Sequence, residues 1–158
     1  MIEMDSIGVI HSPFNELEDM PIQPAGAAGV EGRVEVFERY RDGLDDLDGF
    51  SYIILLFHFH RSSGYNLHVV PFMDTVRRGV FATRAPKRPN PIGLSVVKLN
   101  RIENGVLYIE NVDILNGTPL LDIKPYVPVF DSAADINIGW LEEAGKDLAK
   151  RKSDGRFK

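Results

Sequence analysis

Residues 94–112 read LSVVKLNRIENGVLYIENV and carry the strongest fold signal in the chain. Two β-rich runs, 94–102 and 106–112, flank Glu103-Asn104-Gly105. Both central residues of a type I′ turn need positive φ, which asparagine tolerates and glycine adopts freely, so Asn104-Gly105 predicts a tight antiparallel hairpin. The same kind of signal recurs on either side. Segments 6–10, 32–36, 51–60, 67–70, 79–83 and 122–127 show alternation, or β-branched and aromatic enrichment, between turn residues. Pro125 has no backbone donor, which places the last of these at an edge or a bulge. Seven or eight short strands with little helix predict an all-β antiparallel barrel or sandwich. The helical signal is confined to one turn within 38–47 and to 140–151, where Trp140, Leu141, Ala144 and Leu148 follow helical spacing.

The chain has 158 residues, 44% hydrophobic and 26% charged, which suits one globular domain with a real core. With no cysteine, disulfides, zinc–thiolate sites and cysteine nucleophiles are excluded, and a reducing compartment is compatible. Acids stand at Glu3 and Asp5, where a secretory leader needs bases. The longest apolar run, 52–59, is too short to cross a bilayer and contains His58. The expectation is a cytoplasmic protein without a membrane partner. Net charge is -5, yet its distribution is uneven. Residues 1–50 hold 12 acids and 3 bases, whereas 75–102 hold 7 bases (Arg77, Arg78, Arg84, Lys87, Arg88, Lys98 and Arg101) and no acid. A polyanion responds to the local field rather than to the sum. The basic stretch is thus either a nucleic-acid surface or a solvated loop beside an acidic half.

Three constellations bear on chemistry. In Phe57-His58-Phe59-His60, strand alternation puts both histidines on one face. With His68 they suggest a cupin-like metal site, or packed and hydrogen-bonded histidines. In 79–95, GVFATRAPKRPNPIGLS, a strand delivers Arg84 to a loop stiffened by Pro86, Pro89 and Pro91. Arginine suits carboxylates and phosphates because its planar fork binds them bidentately, and Gly93 permits a close backbone approach to a ligand. The region 19–29, rich in Pro, Gly and Ala, reads as a long functional or disordered loop. In 111–126, Asn116-Gly117 makes a tight turn, and Asp113 stands at a strand end. There a carboxylate binds a ribose diol, accepts a proton or caps a turn.

These stretches, GVFATRAPKRPNPIGLS and LNGTPLLDIKPYVP, together with IGVIHSPF, PIQPAG and DGFSYIILLFHFH, resemble the TsaA/TrmO-like family over about residues 5–130. The resemblance implies a small antiparallel β-barrel with a short C-terminal helix, divided as a barrel domain over 1–130 and a helical extension over 131–158. It also implies homodimerisation, S-adenosyl-L-methionine (SAM) as cofactor, no metal, and N6-methylation of the threonylcarbamoylated adenosine beside the tRNA anticodon. By the same resemblance the SAM site gathers Pro21, Ile22, Gln23, His60, Arg61, Arg84, Leu94, Glu110, Asn111, Val112 and Asp113, with Asp113 and His60 as candidate general bases. Arg77, Arg78, Lys87 and Arg88 are the expected RNA contacts. Bacterial members typically read Pro-Arg-Gln where this chain has Pro21-Ile22-Gln23, and often have glutamine where Arg61 stands. A non-catalytic SAM- or RNA-binding module is the alternative function, and a cupin-like metal protein a third.

Overall fold

The structure is a computed structural model that describes residues 1–21, 24–72 and 74–144. Its strands are β1 Gly8–His11, β2 Glu31–Val36, β3 Tyr52–His58, β4 His68–Val69, β5 Arg78–Gly79, β6 Ile92–Glu103, β7 Val106–Glu110 and β8 Thr118–Pro125. Six of them close into a barrel in the order β1-β2-β7-β6-β3-β8, with every neighbour antiparallel. Closure gives every barrel strand a neighbour on each side. β4 and β5 pair with each other in the excursion between β3 and β6.

The β6–β7 hairpin forms where the sequence puts it. Asn104 has φ 50° and Gly105 φ 76°. Period-two alternation then fills the barrel. Val97 and Leu99 from β6, Leu107 and Ile109 from β7, and Ile53 and Leu55 from β3 point inward and are buried. Asp122 to Pro125 pair only with β3, beyond the end of β1, and a bulge opposes them at Leu56/Phe57. Pro125 therefore misses no ladder bond, as its chemistry requires.

Four readings need correction. Residues 79–83 do not form a strand; β5 stops at Gly79 and a 3₁₀ turn takes Val80–Ala82. That turn buries Val80 against Val69 and Ala85 in a small second core, a packing gain that outweighs the local β-propensity. Residues 19–29 are not structureless, because 3₁₀ turns occupy Leu17–Asp19 and Pro24–Ala27. His60 does not share a strand face with His58, because β3 ends at His58 and His60 lies in the following turn. Gly93 serves packing rather than a ligand: it is buried, and a Cβ there would meet the Phe57 ring. The expected turn within 38–47 is a 3₁₀ helix, Glu38–Leu44. Short helices α1 Pro128–Asp131 and α2 Leu141–Ala144 follow the barrel; the rest of the expected 140–151 helix lies outside the described residues. Among the described residues no helix is long and apolar enough to cross a membrane.

Candidate functional site

Every loop that carries a predicted site residue leaves the same end of the barrel. β1, β3 and β7 finish there, and β2, β6 and β8 begin there. Segments 12–30, 59–91 and 111–117 therefore crown one rim. Backbone bonds knit them together. The Asn116 N–H donates to Phe14 O (2.7 Å), the Gly117 N–H to Ile10 O (2.9 Å) and the Val112 N–H to Val30 O (3.2 Å). Asn111, at φ 70°, accepts the Gly29 N–H on its side-chain oxygen at 2.9 Å. Arg61 Nη1 donates to Asn15 O at 2.9 Å, and its Nη2 lies 3.8 Å from Glu16 Oε2. Asn111, Val112 and Arg61 thus hold the first loop over the rim. Pro21 is buried there; Ile22 and Gln23 lie outside the described residues.

At the centre stands a pair the sequence reading half missed. Ser95, 1% exposed on β6, donates its hydroxyl to Asp113 Oδ1 at 2.6 Å. Burial pushes the half-buried Asp113 carboxyl up from its ordinary pKa, while the Ser95 hydrogen bond and the charge of Arg84 pull it back. Asp113 is therefore no simple turn cap. Arg84 is exposed and, among the described residues, makes no hydrogen bond, so its fork is available to an anion. A signal for Ser95 existed. It is the one hydroxyl among the inward positions Gly93, Ser95, Val97 and Leu99 of β6, and a buried hydroxyl requires a partner.

Other predicted residues are not brought into this centre. Leu94, 45% exposed, faces outward because its neighbour Ser95 faces in. Glu110 also lies on the outer face, accepting from Asn100 Nδ2 at 3.1 Å. His60 is solvent-facing, and its imidazole pKa is lowered, chiefly by desolvation, with His58 and Arg61 adding like charge. Among the described residues no three histidine or acidic side chains converge in a metal-holding group.

The basic stretch divides by partner. Arg88 Nη1 donates to the carbonyls of Thr83 (2.9 Å) and Ala85 (3.1 Å), bracing the proline loop. Arg78 Nε donates to Asp74 Oδ2 at 2.7 Å, which holds that carboxyl below its ordinary pKa. The same guanidinium lies 5.8 Å from the centroid of the Trp140 ring, and Trp140 Nε1 donates to Ala82 O at 2.9 Å. No local pattern announces this contact across 58 residues. Arg77 and Lys87 make no hydrogen bond or ion pair among the described residues.

A cleft of about 350 Å³ opens at the opposite end of the barrel, between Tyr40, Leu44, Leu47, Phe50 and Ile123. It contains none of the predicted site residues. Its charged groups are Asp45, Asp46 and Asp122, which offer nothing to a carboxylate or phosphate.

Residues 9–132 match the family profile described as the tRNA-methyltransferase O N-terminal domain. A probable S-adenosyl-L-methionine-binding protein of Pyrococcus abyssi is 55% identical over 157 residues, covering 99% of this chain and 85% of that protein. A tRNA (adenine(37)-N6)-methyltransferase of Escherichia coli is 35% identical over 152 residues, covering 90% of this chain and 65% of that enzyme. The crystal structure of TrmO from Pseudomonas aeruginosa superposes with a TM-score of 0.75 at 40% identity, over 89% of this chain and 62% of that one. Against the mouse methyltransferase the chain spans 33% of the length. The rim loops, the closed barrel and the profile match agree, and the chain belongs to the tRNA-methyltransferase O N-terminal domain family.

Proposed function

We propose that this protein is a SAM-dependent methyltransferase that transfers a methyl group to N6 of the threonylcarbamoylated adenosine beside the tRNA anticodon. The observation that carries the reading is the rim centre, where a braced carboxylate (Asp113–Ser95) and an uncommitted guanidinium (Arg84) stand within electrostatic reach of one another. This donor set fits the cofactor. Asp113 uses Oδ1 for Ser95 and leaves Oδ2 for a ribose hydroxyl or a proton, while Arg84 matches an amino-acid carboxylate. The cofactor supplies an already activated methyl group on a sulfonium. The chain's own work is alignment and exclusion of water. Asn111 and Arg61 hold the first loop over the site through Gly29 and Asn15, and in this reading Asp113 takes the proton that leaves N6 as the new N–C bond forms. His60, whose imidazole pKa is lowered chiefly by desolvation, is the other candidate base, outside the centre itself. Arg77 and Lys87 supply phosphate contacts, with Arg78 and Arg88 shaping the loop that presents them.

The barrel domain over 1–130 holds this whole centre, and the extension that begins at 131 is latched to it through Trp140. The working unit is a two-fold dimer in the cytoplasm. Tyr52, Ile54 and Leu56 on β3 lie across from Lys98, Val96 and Leu94 on β6, so the outer face of that pair is largely apolar, with Tyr52 and Leu94 exposed and Ile54, Leu56 and Val96 half-buried. Closing it against a second copy brings Leu94, and through it the rim, to the subunit junction.

Nucleosides from tRNA incubated with protein and SAM, analysed by mass spectrometry, test the activity. A methylated threonylcarbamoyladenosine is the expected product. SAM binding without any methylated nucleoside supports the second reading, a binding module, which the names of several archaeal relatives favour. Calorimetry in excess EDTA should leave SAM binding intact; its loss under chelation would favour a metal site.

A further inference from the structure

Phe81 is 74% exposed, more than any other aromatic residue of the 59–91 excursion. An apolar ring of this size left in water is uninformative on a loose loop, but this backbone is fixed on both sides. Val80 is 1% exposed and Ala85 6% exposed in the small second core. The Thr83 hydroxyl donates to Val80 O at 2.8 Å, Trp140 Nε1 holds Ala82 O, and Arg88 holds the carbonyls of Thr83 and Ala85. The ring is thus presented to solvent by a turn whose backbone order already exists before any ligand arrives.

Its neighbours along the chain are cationic. Arg77 and Arg78 precede it, Arg84 and Lys87 follow it, and no acid occurs between residues 75 and 102. A rigid aromatic face near bases of which Arg77, Arg84 and Lys87 are uncommitted among the described residues is the combination that captures splayed-out nucleotides, because every base has a π-face and every nucleotide a phosphate. Resting on the methyltransferase reading above, we infer that Phe81 is the stacking platform for an unstacked base of the anticodon loop, held beside the Arg84–Asp113 centre. The occupant is a nucleobase rather than a second copy of the chain, whose apolar complement lies on the β3–β6 face.

The test uses the full 158-residue chain and an anticodon stem-loop RNA labelled with 2-aminopurine next to the target adenosine. Wild type should bind the RNA and quench the label. Phe81→Ala should weaken binding about ten-fold or more, abolish the quench, and leave both SAM affinity and the slope of affinity against salt unchanged, since stacking releases no counterions. Phe81→Trp should restore binding and quench. RNA binding by Phe81→Ala equal to wild type overturns the inference. So does loss of the dimer in that variant by light scattering, which would make the ring a subunit contact. Failure of wild type to bind the RNA overturns instead the reading on which the inference rests.

Discussion

Asp113 is the residue whose environment carries most consequence. Burial raises its pKa, so between the ordinary carboxylate value and the raised one the folded chain holds more protons than the unfolded chain. The stability this contributes is present below that window and is lost as pH rises through it. Asp113→Asn, which does not titrate, should therefore gain melting temperature relative to wild type as pH climbs just above the usual carboxylate range. Parallel curves for the two proteins would refute the assignment. Ser95 acts in the opposite sense, because its hydroxyl favours the charged carboxylate. Removing it leaves a half-buried acceptor short of a partner, which costs about 1–3 kcal/mol. Ser95→Ala should also shift the acid limb of the kcat/KM profile to higher pH, and Ser95→Thr should move it back. A stability loss with an unmoved profile would make Ser95 structural only.

β6 packs one face into the barrel and turns Leu94 outward on the other. Gly93 gives its space to the Phe57 ring, which in turn meets Phe59 edge-on at 5.4 Å. Gly93→Ala should destabilise the barrel by about 1–3 kcal/mol, measured by urea denaturation, and Phe57→Leu in the same chain should recover part of the loss. An additive double mutant would contradict the contact. The proposed function assigns separate tasks to the cations of the proline loop that precedes β6. Lys87→Ala should weaken tRNA binding and lower the salt slope by about one unit, with SAM affinity unchanged. Arg84→Ala should weaken SAM binding while tRNA still binds. Arg88→Ala should disturb both, because it loosens the carbonyls of Thr83 and Ala85. An unchanged salt slope for Lys87→Ala would mean that this amine is merely solvated.

The barrel as a body has two unlike ends. The acids of 38–48 lie beside the cleft opposite the rim, and the bases of 77–88 lie on the site side. Such a separation of charge would turn a polyanion toward the rim even though the net charge is -5. The proposed dimer would close on the outer β3–β6 face, where Tyr52 and Leu94 are exposed and Leu56 is half-buried. Leu94→Asp should convert a dimer to a monomer of unchanged fold, read by light scattering with circular dichroism. A wild-type monomer at tens of micromolar would count against the dimer, and a dimer indifferent to Leu94→Asp would place the interface elsewhere.

Local chemistry alone was enough for most of the barrel strands and for the turn between β6 and β7. Alternation in 94–102 and 106–112, and the positive φ that Asn104-Gly105 supplies, are properties of neighbours along the chain, so they were readable without coordinates. The all-β class and the basic loop were legible for the same reason. What depended on contacts between distant segments was not. Whether 79–83 stayed extended hinged on burying Val80 against Val69, and the purpose of Gly93 on a ring 36 positions away in sequence. Asp113 became more than a turn residue only when barrel closure set it against Ser95, 18 positions earlier. Trp140 acquired its role by reaching back to Ala82. Backbone preference is a local energy and is written in adjacent residues; burial, pKa and partnership are energies of proximity, which the chain acquires only when the barrel closes.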